Sequence, residues 1–134
     1  MPRLSAWLTR TALAYLAAGF TFGSLLLLHK GVSIAGALWR LLPLHVESVL
    51  IGWTLQLALG VAYWILPRHL RGAPRGAEHP AWAAYVLLNL GVLLVLAGAW
   101  LGAANLTLAG RVCELVAVTI FGALAWPRVK TWGH

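Results

Sequence analysis

An all-α fold, with four transmembrane helices in an antiparallel bundle, is what the sequence predicts, and three observations predict it. Of 134 residues, 61% are hydrophobic and only 10% are charged, with a mean hydropathy of +0.83. Four long apolar stretches hold that excess, and the basic residues gather between and beyond them. A water-soluble domain carries far more charge than this, and no polar sequence is left over to form the outside of one.

The stretches run roughly Ala12–Leu28, His45–Leu66, Trp82–Leu101 and Val112–Trp126 (12–28, 45–66, 82–101 and 112–126). Each approaches the ~20 helical residues that cross a hydrocarbon core. The first follows Arg3 and Arg10 as a signal peptide would, but no small-x-small cleavage site follows it cleanly, so it is read as a retained span. Between the first and second, Lys30–Leu44 carries Gly31, Gly36, Trp39, Arg40 and Pro43. It is too broken for a span and is expected to be a short interfacial helix or loop. Pro67–Pro80, rich in Pro, Gly and Arg, reads as a solvated connector. A short turn near Gly102–Gly110 makes the last two helices an antiparallel hairpin, so residues 1–134 are read as one transmembrane domain.

The net charge of +7 comes from cations that form no patch or stripe, which argues against a nucleic-acid partner. Arg3, Arg10, Arg68, Arg71, Arg75, Arg128 and Lys130 fall on one side of the predicted layout, and only Lys30, Arg40 and Arg111 on the other. That bias predicts cytoplasmic N and C termini in a multi-pass protein of the inner membrane. Trp7, Trp39, Trp82, Trp100, Trp126 and Trp132 lie near predicted helix ends, where Trp anchors to the interface. The single cysteine, Cys113, excludes an intrachain disulfide, a CxxC pair and a CxxCH haem attachment.

Within lipid, the informative residues are those that are costly to bury. At about 100° per residue, Ser48, Gly52, Gln56, Gly60 and Tyr63 fall within about 60° of His45, giving the second span one polar, glycine-punctuated stripe. Such a stripe faces protein or a cofactor, and its glycines leave room for a flat group. His45 can ligate haem iron, with Arg40 near the propionates and His29 at similar depth as a second ligand. Equally, His45 can be an interfacial histidine bonded to a neighbouring helix. Glu47 points away from the stripe and is expected to stay hydrated or to pair with Lys30 or Arg40. Arg111 and Glu114, three apart, share a face and can pair. His69, His79 and His134 show no ligand spacing. Gly19 and Gly23 form a GxxxG, and Gly91, Gly98 and Gly102 lie on one face of the third span; both are surfaces suited to close helix approach.

The stretch LWRLLPLHVESVLIGWTLQLALGVAYWILPR, Leu38 to Arg68, resembles the second transmembrane helix of haem-copper oxidase subunit I, in the cbb3-type oxidase and nitric oxide reductase branch. The matching features are His45 at the start of the span, Gly52–Trp53, Gly60–Tyr63 and Pro67–Arg68. The resemblance implies that His45 is an axial ligand of a haem b. It covers this one helix well. The family has far more helices than four, a second low-spin ligand on a late helix and further histidines for a binuclear centre, none with a counterpart here. This chain alone therefore forms no binuclear haem-copper site, which leaves enzymatic activity undecided.

Two functions are expected on this basis. The first is a haem b-binding membrane protein in electron transfer or in binding O2 or NO, its second axial ligand being His29, His45 of another copy, a partner's residue or nothing. The alternative is a haem-free accessory subunit of a respiratory oxidase or nitric oxide reductase. Partners on either reading are the lipid bilayer and a homo-oligomer or a larger respiratory complex. A small transporter or channel is less favoured, because no broken helix pair or row of intramembrane charges is evident.

Overall fold

The computed structural model describes residues 1–67 and 77–129. Arg68, His69, Arg71, Arg75, Lys130, Trp132 and His134, which entered the sequence reading, lie outside the described residues. Four helices are long and apolar enough to cross a membrane: α1 (Arg3–Val32), α2 (Gly36–Ile65), α3 (Glu78–Leu101) and α4 (Ala104–Arg128). All four exceed the apolar stretches 12–28, 45–66, 82–101 and 112–126 at one or both ends. An apolar run marks what sits in hydrocarbon, whereas helical hydrogen bonding continues through the more polar interfacial turns.

The segment Lys30–Leu44 is correspondingly more ordered than expected. α1 runs on to Val32 and ends at Ser33 in the left-handed conformation (φ 50°), its N–H bonded to the His29 carbonyl. After Ala35 the chain enters a 3-10 turn, Gly36–Arg40, that leads directly into α2. Pro43 falls in the first turn of the α-helical part, Leu41–Glu47, where a missing N–H is easily tolerated.

α2 then changes its winding. Ser48–Leu55 is π-helical, and α-helix resumes at Gln56–Ile65. Thr54 Oγ1 donates to the Val49 carbonyl, five residues back, within this wider turn. Because π-winding advances each residue by a smaller angle than 100°, eight such residues rotate the part above them relative to the part below. His45 nevertheless faces α1 as the rest of the stripe does, resting on Gly19 and Gly23, one and two turns beyond the Tyr15 that covers Gly52. Ser48, Gly52, Gln56, Gly60 and Tyr63 are buried, whereas His45 is half-buried.

The helices pack as two hairpins. α1 lies along α2, and small residues set the spacing. A Cβ on Gly19 would stand 2.6 Å from Val49 Cγ2, and one on Gly60 would stand 2.9 Å from Leu8 Cβ. The GxxxG of α1 is thus used within the chain. α3 and α4 form the tighter pair, joined only by Gly102 and Ala103; Gly102 has φ 68°, a conformation open to glycine. Gly91 and Gly110 face each other at their crossing, where a Cβ on Gly91 would meet the Gly110 carbonyl at 2.8 Å. Leu4, Leu8, Tyr63, Ala81, Ala84 and Phe121 form a core at one end of the bundle, and Leu26, Leu41 and Leu44 form another at the opposite end.

Arg128, expected only as a topology cation, is buried. Its Nε donates to the Pro67 carbonyl at 3.1 Å, and Nη2 donates to Tyr63 and Leu66 at 3.0 and 2.8 Å. These are carbonyls that the end of α2 leaves without intrahelical donors, so the guanidinium caps α2 and ties it to α4.

Candidate functional site

At the end of the bundle that holds His45, α1 and α2 diverge around a groove of about 660 Å³. Gly23 leaves the opening on α1; Phe20, Trp39, His45 and Trp53 contribute its larger walls, and Lys30 its cation. Its flank is open, since Phe20 and Leu27 remain exposed. This size and lining, mostly apolar with a few polar groups, are typical of small-molecule and cofactor sites.

His45 is fixed in this groove by its backbone neighbour. Nδ1 lies 2.7 Å from the Gly19 carbonyl oxygen. A carbonyl only accepts, so Nδ1 carries the hydrogen, and in the neutral ring Nε2 is the atom with the free lone pair. The Nδ1–Cε1–Nε2 side of the ring fits against α1 because position 23 is glycine: a Cβ there would stand 2.8 Å from Cε1 and 3.5 Å from Nε2. A histidine whose Nδ1–H is held by a backbone carbonyl, leaving Nε2 bare, is oriented as metal-ligating histidines are.

His29 is arranged in the opposite sense. Its Nδ1 accepts from the Ala35 N–H at 3.2 Å, which places the hydrogen of the neutral ring on Nε2. The ring is buried, edge-on to Trp39 at 5.8 Å, and does not line the groove. Its visible role is to hold the Ser33–Ala35 turn. Arg40 is exposed and also stands outside the lining, where the cation is Lys30.

The rest of the stripe lies against protein. The Tyr15 ring covers Gly52, with a Cβ there 2.5 Å from Cγ. Leu8 covers Gly60. Gln56 is fully buried; Nε2 donates to the Leu8 carbonyl at 3.4 Å, while Oε1 has no partner among the described residues. Tyr63 belongs to the core with Leu4 and Leu8, and Arg128 stands over its ring at 5.4 Å. The structure therefore brings His45 together with Gly19, Gly23, Lys30, Trp39 and Trp53, not with Gly52, Gln56, Gly60 or Tyr63. The sequence signal that finds the new neighbours is the GxxxG of α1, read as a docking face for His45.

A second polar feature crosses between helices. Glu47 is neither hydrated nor paired with Lys30 or Arg40: it is 2% exposed, and Arg111 Nη2 reaches its Oε2 at 2.7 Å. Arg111 Nη1 also donates to Glu114 Oε2 at 2.8 Å, as the i,i+3 spacing predicts. Glu47 points away from the stripe, as expected, but towards α4 and not towards water. Among the described residues no three His, Cys, Asp or Glu side chains gather as a metal site.

No family model matches the chain, and no curated protein or solved structure matches it either.

Proposed function

We propose that the protein is an inner-membrane haem b protein, with cytoplasmic termini, that carries its haem in the groove between α1 and α2 and serves electron transfer or the binding of a diatomic gas. The observation that carries this reading is the 2.7 Å hydrogen bond from His45 Nδ1 to the Gly19 carbonyl, which leaves Nε2 as a free donor of an electron pair beside an apolar groove of ligand size. The residues present suit the group. His45 would supply an axial ligand, Lys30 would offset the carboxylates, and Phe20, Trp39 and Trp53 would keep water from the apolar faces. Bound haem would supply reversible one-electron exchange or an iron position for a gas.

The chain's own contribution is orientation and exclusion. Gly19 O holds the imidazole in one tautomer, and Gly23 lets it approach α1 closely. His29, engaged at Ala35 through Nδ1, is not presented as a second ligand. A second iron ligand would have to come from another copy's histidine or from a partner, and a group held by His45 alone would favour gas binding. The visible spectrum of the protein, purified after expression with ample haem supply, tests this. A Soret band lost in His45→Ala but kept in His29→Ala supports the reading; no Soret absorbance in the wild type refutes it.

A haem-free accessory subunit is the second reading. It is favoured by the way α1 fills the stripe of α2, Tyr15 on Gly52 and Leu8 on Gly60. Co-purification with a larger respiratory complex, together with a colourless isolated chain, would select it.

A further inference from the structure

The chain has only three acidic residues, and two of them, Glu47 and Glu114, are brought from different helices onto one guanidinium. Arg111 Nη2 holds Glu47 Oε2 at 2.7 Å and Nη1 holds Glu114 Oε2 at 2.8 Å. Their side chains are 3% and 8% exposed. Glu114 is ten residues into α4 (114 against its start at Ala104), about 15 Å along the axis.

The surroundings are built around the two carboxyls. Gly91 of α3 makes room for Glu114, since a Cβ there would stand 2.7 Å from its Cγ. Both carboxyls are held through Oε2 by the same guanidinium. Each also has an oxygen, Oε1, that is buried with no donor among the described residues. The titratable group that α1 brings near Glu47 is Tyr15, whose ring covers Gly52. Among these described neighbours Arg111 is the only cation.

Two carboxylates against one guanidinium leave one negative charge uncompensated on buried side chains, where charge is costly. Two carboxylates that share a site hold one proton between them, because both cannot ionise side by side. We propose that Glu47 and Glu114 form an intramembrane proton-binding site, in which one carboxyl is protonated and donates to the other while Arg111 balances the remaining charge. Loading adds one proton to one Oε1; release returns it and leaves both carboxylates on Arg111. Arg111 itself is half-exposed. This inference does not rest on haem binding.

Infrared spectroscopy of the full chain in lipid nanodiscs at neutral pH tests it. The expected result is a carbonyl stretch of a protonated carboxylic acid that shifts on carboxyl-13C glutamate labelling, which separates it from haem propionates and the C-terminus. It should disappear in Glu47→Gln and in Glu114→Gln alike, because either leaves one carboxylate matched by one guanidinium. It should persist in Glu78→Gln, the exposed third acid. Absence of the labelled band in the wild type overturns the proposal, as does a band that survives both substitutions. If those variants do not fold, labelled wild type combined with Glu78→Gln still decides, because only Glu47 and Glu114 then remain as sources.

Discussion

His45 Nδ1 donates to the carbonyl oxygen of Gly19 at 2.7 Å, and the glycine one turn further along α1, Gly23, leaves the space that the imidazole occupies. The backbone of one helix thus sets the tautomer of a side chain on another, and the fit of the ring depends on the missing methyl group at Gly23. Replacing Gly23 by Ala places a Cβ 2.8 Å from Cε1, too close for the ring to stay. Loss of the hydrogen bond alone would cost about 1 kcal/mol. Gly23→Ala is expected to weaken or abolish haem retention while inserting normally in the membrane. Gly122→Ala, where an added Cβ meets nothing within 4 Å, is expected to retain haem fully. Soret absorbance per protein in matched preparations compares the two.

The two histidines at this end of the bundle are expected to separate cleanly. His29 Nδ1 accepts from the Ala35 N–H, so His29→Ala leaves a turn amide without its acceptor and is expected to lower stability by about 1 kcal/mol. It should leave any haem spectrum in place. Thermal unfolding in detergent, read beside the visible spectrum, distinguishes a stability loss with unchanged colour from a loss of colour. The second result would place His29 on the iron.

Much of this arrangement is legible in the sequence, and the parts that are not have identifiable physical causes. Apolar length locates four spans, and the helical period finds the buried set Ser48, Gly52, Gln56, Gly60 and Tyr63, because both reflect which residues face protein. What the period cannot register is the π-helical segment Ser48–Leu55, because no residue pattern announces a change of backbone winding. Pairing between distant helices is also hidden. Arg111 to Glu114 is local and readable at three residues' spacing, whereas Glu47 to Arg111 joins positions 64 apart (111 − 47) and depends on how α2 meets α4. Arg128 shows a third gap: charge counting assigns it a side of the membrane, but its donors are spent on the end of α2.

Gln56 offers a test of whether the stripe serves packing. It is fully buried, its one hydrogen bond is long at 3.4 Å, and Oε1 is unpartnered among the described residues. Replacing a poorly satisfied buried amide by an apolar side chain of similar size is often neutral or stabilising. Gln56→Met is expected to match or exceed wild-type stability and to leave haem binding unchanged. A marked fall in Soret absorbance would show that Gln56 acts on the groove despite lying against Leu8.

At the other end of the bundle, Arg128 closes α2 with a set of donors that lysine cannot reproduce. Nε and Nη2 reach Pro67, Tyr63 and Leu66 from one planar group, so the spacing of the carbonyls is matched by the fork of the guanidinium. Arg128→Ala would leave these carbonyls without that donor where α2 and α4 meet. Hydrogen bonds from a charged donor contribute about 1.5–3 kcal/mol each, although such values are not additive. The expected loss is therefore on the order of 3 kcal/mol. Arg128→Lys keeps the charge but presents a point donor that serves one carbonyl well, and it should recover less than half of the loss. If charge alone mattered at this position, as topology counting implies, lysine would restore wild-type stability in full. Unfolding of the three proteins in the same detergent, followed by far-ultraviolet circular dichroism, separates capping from charge.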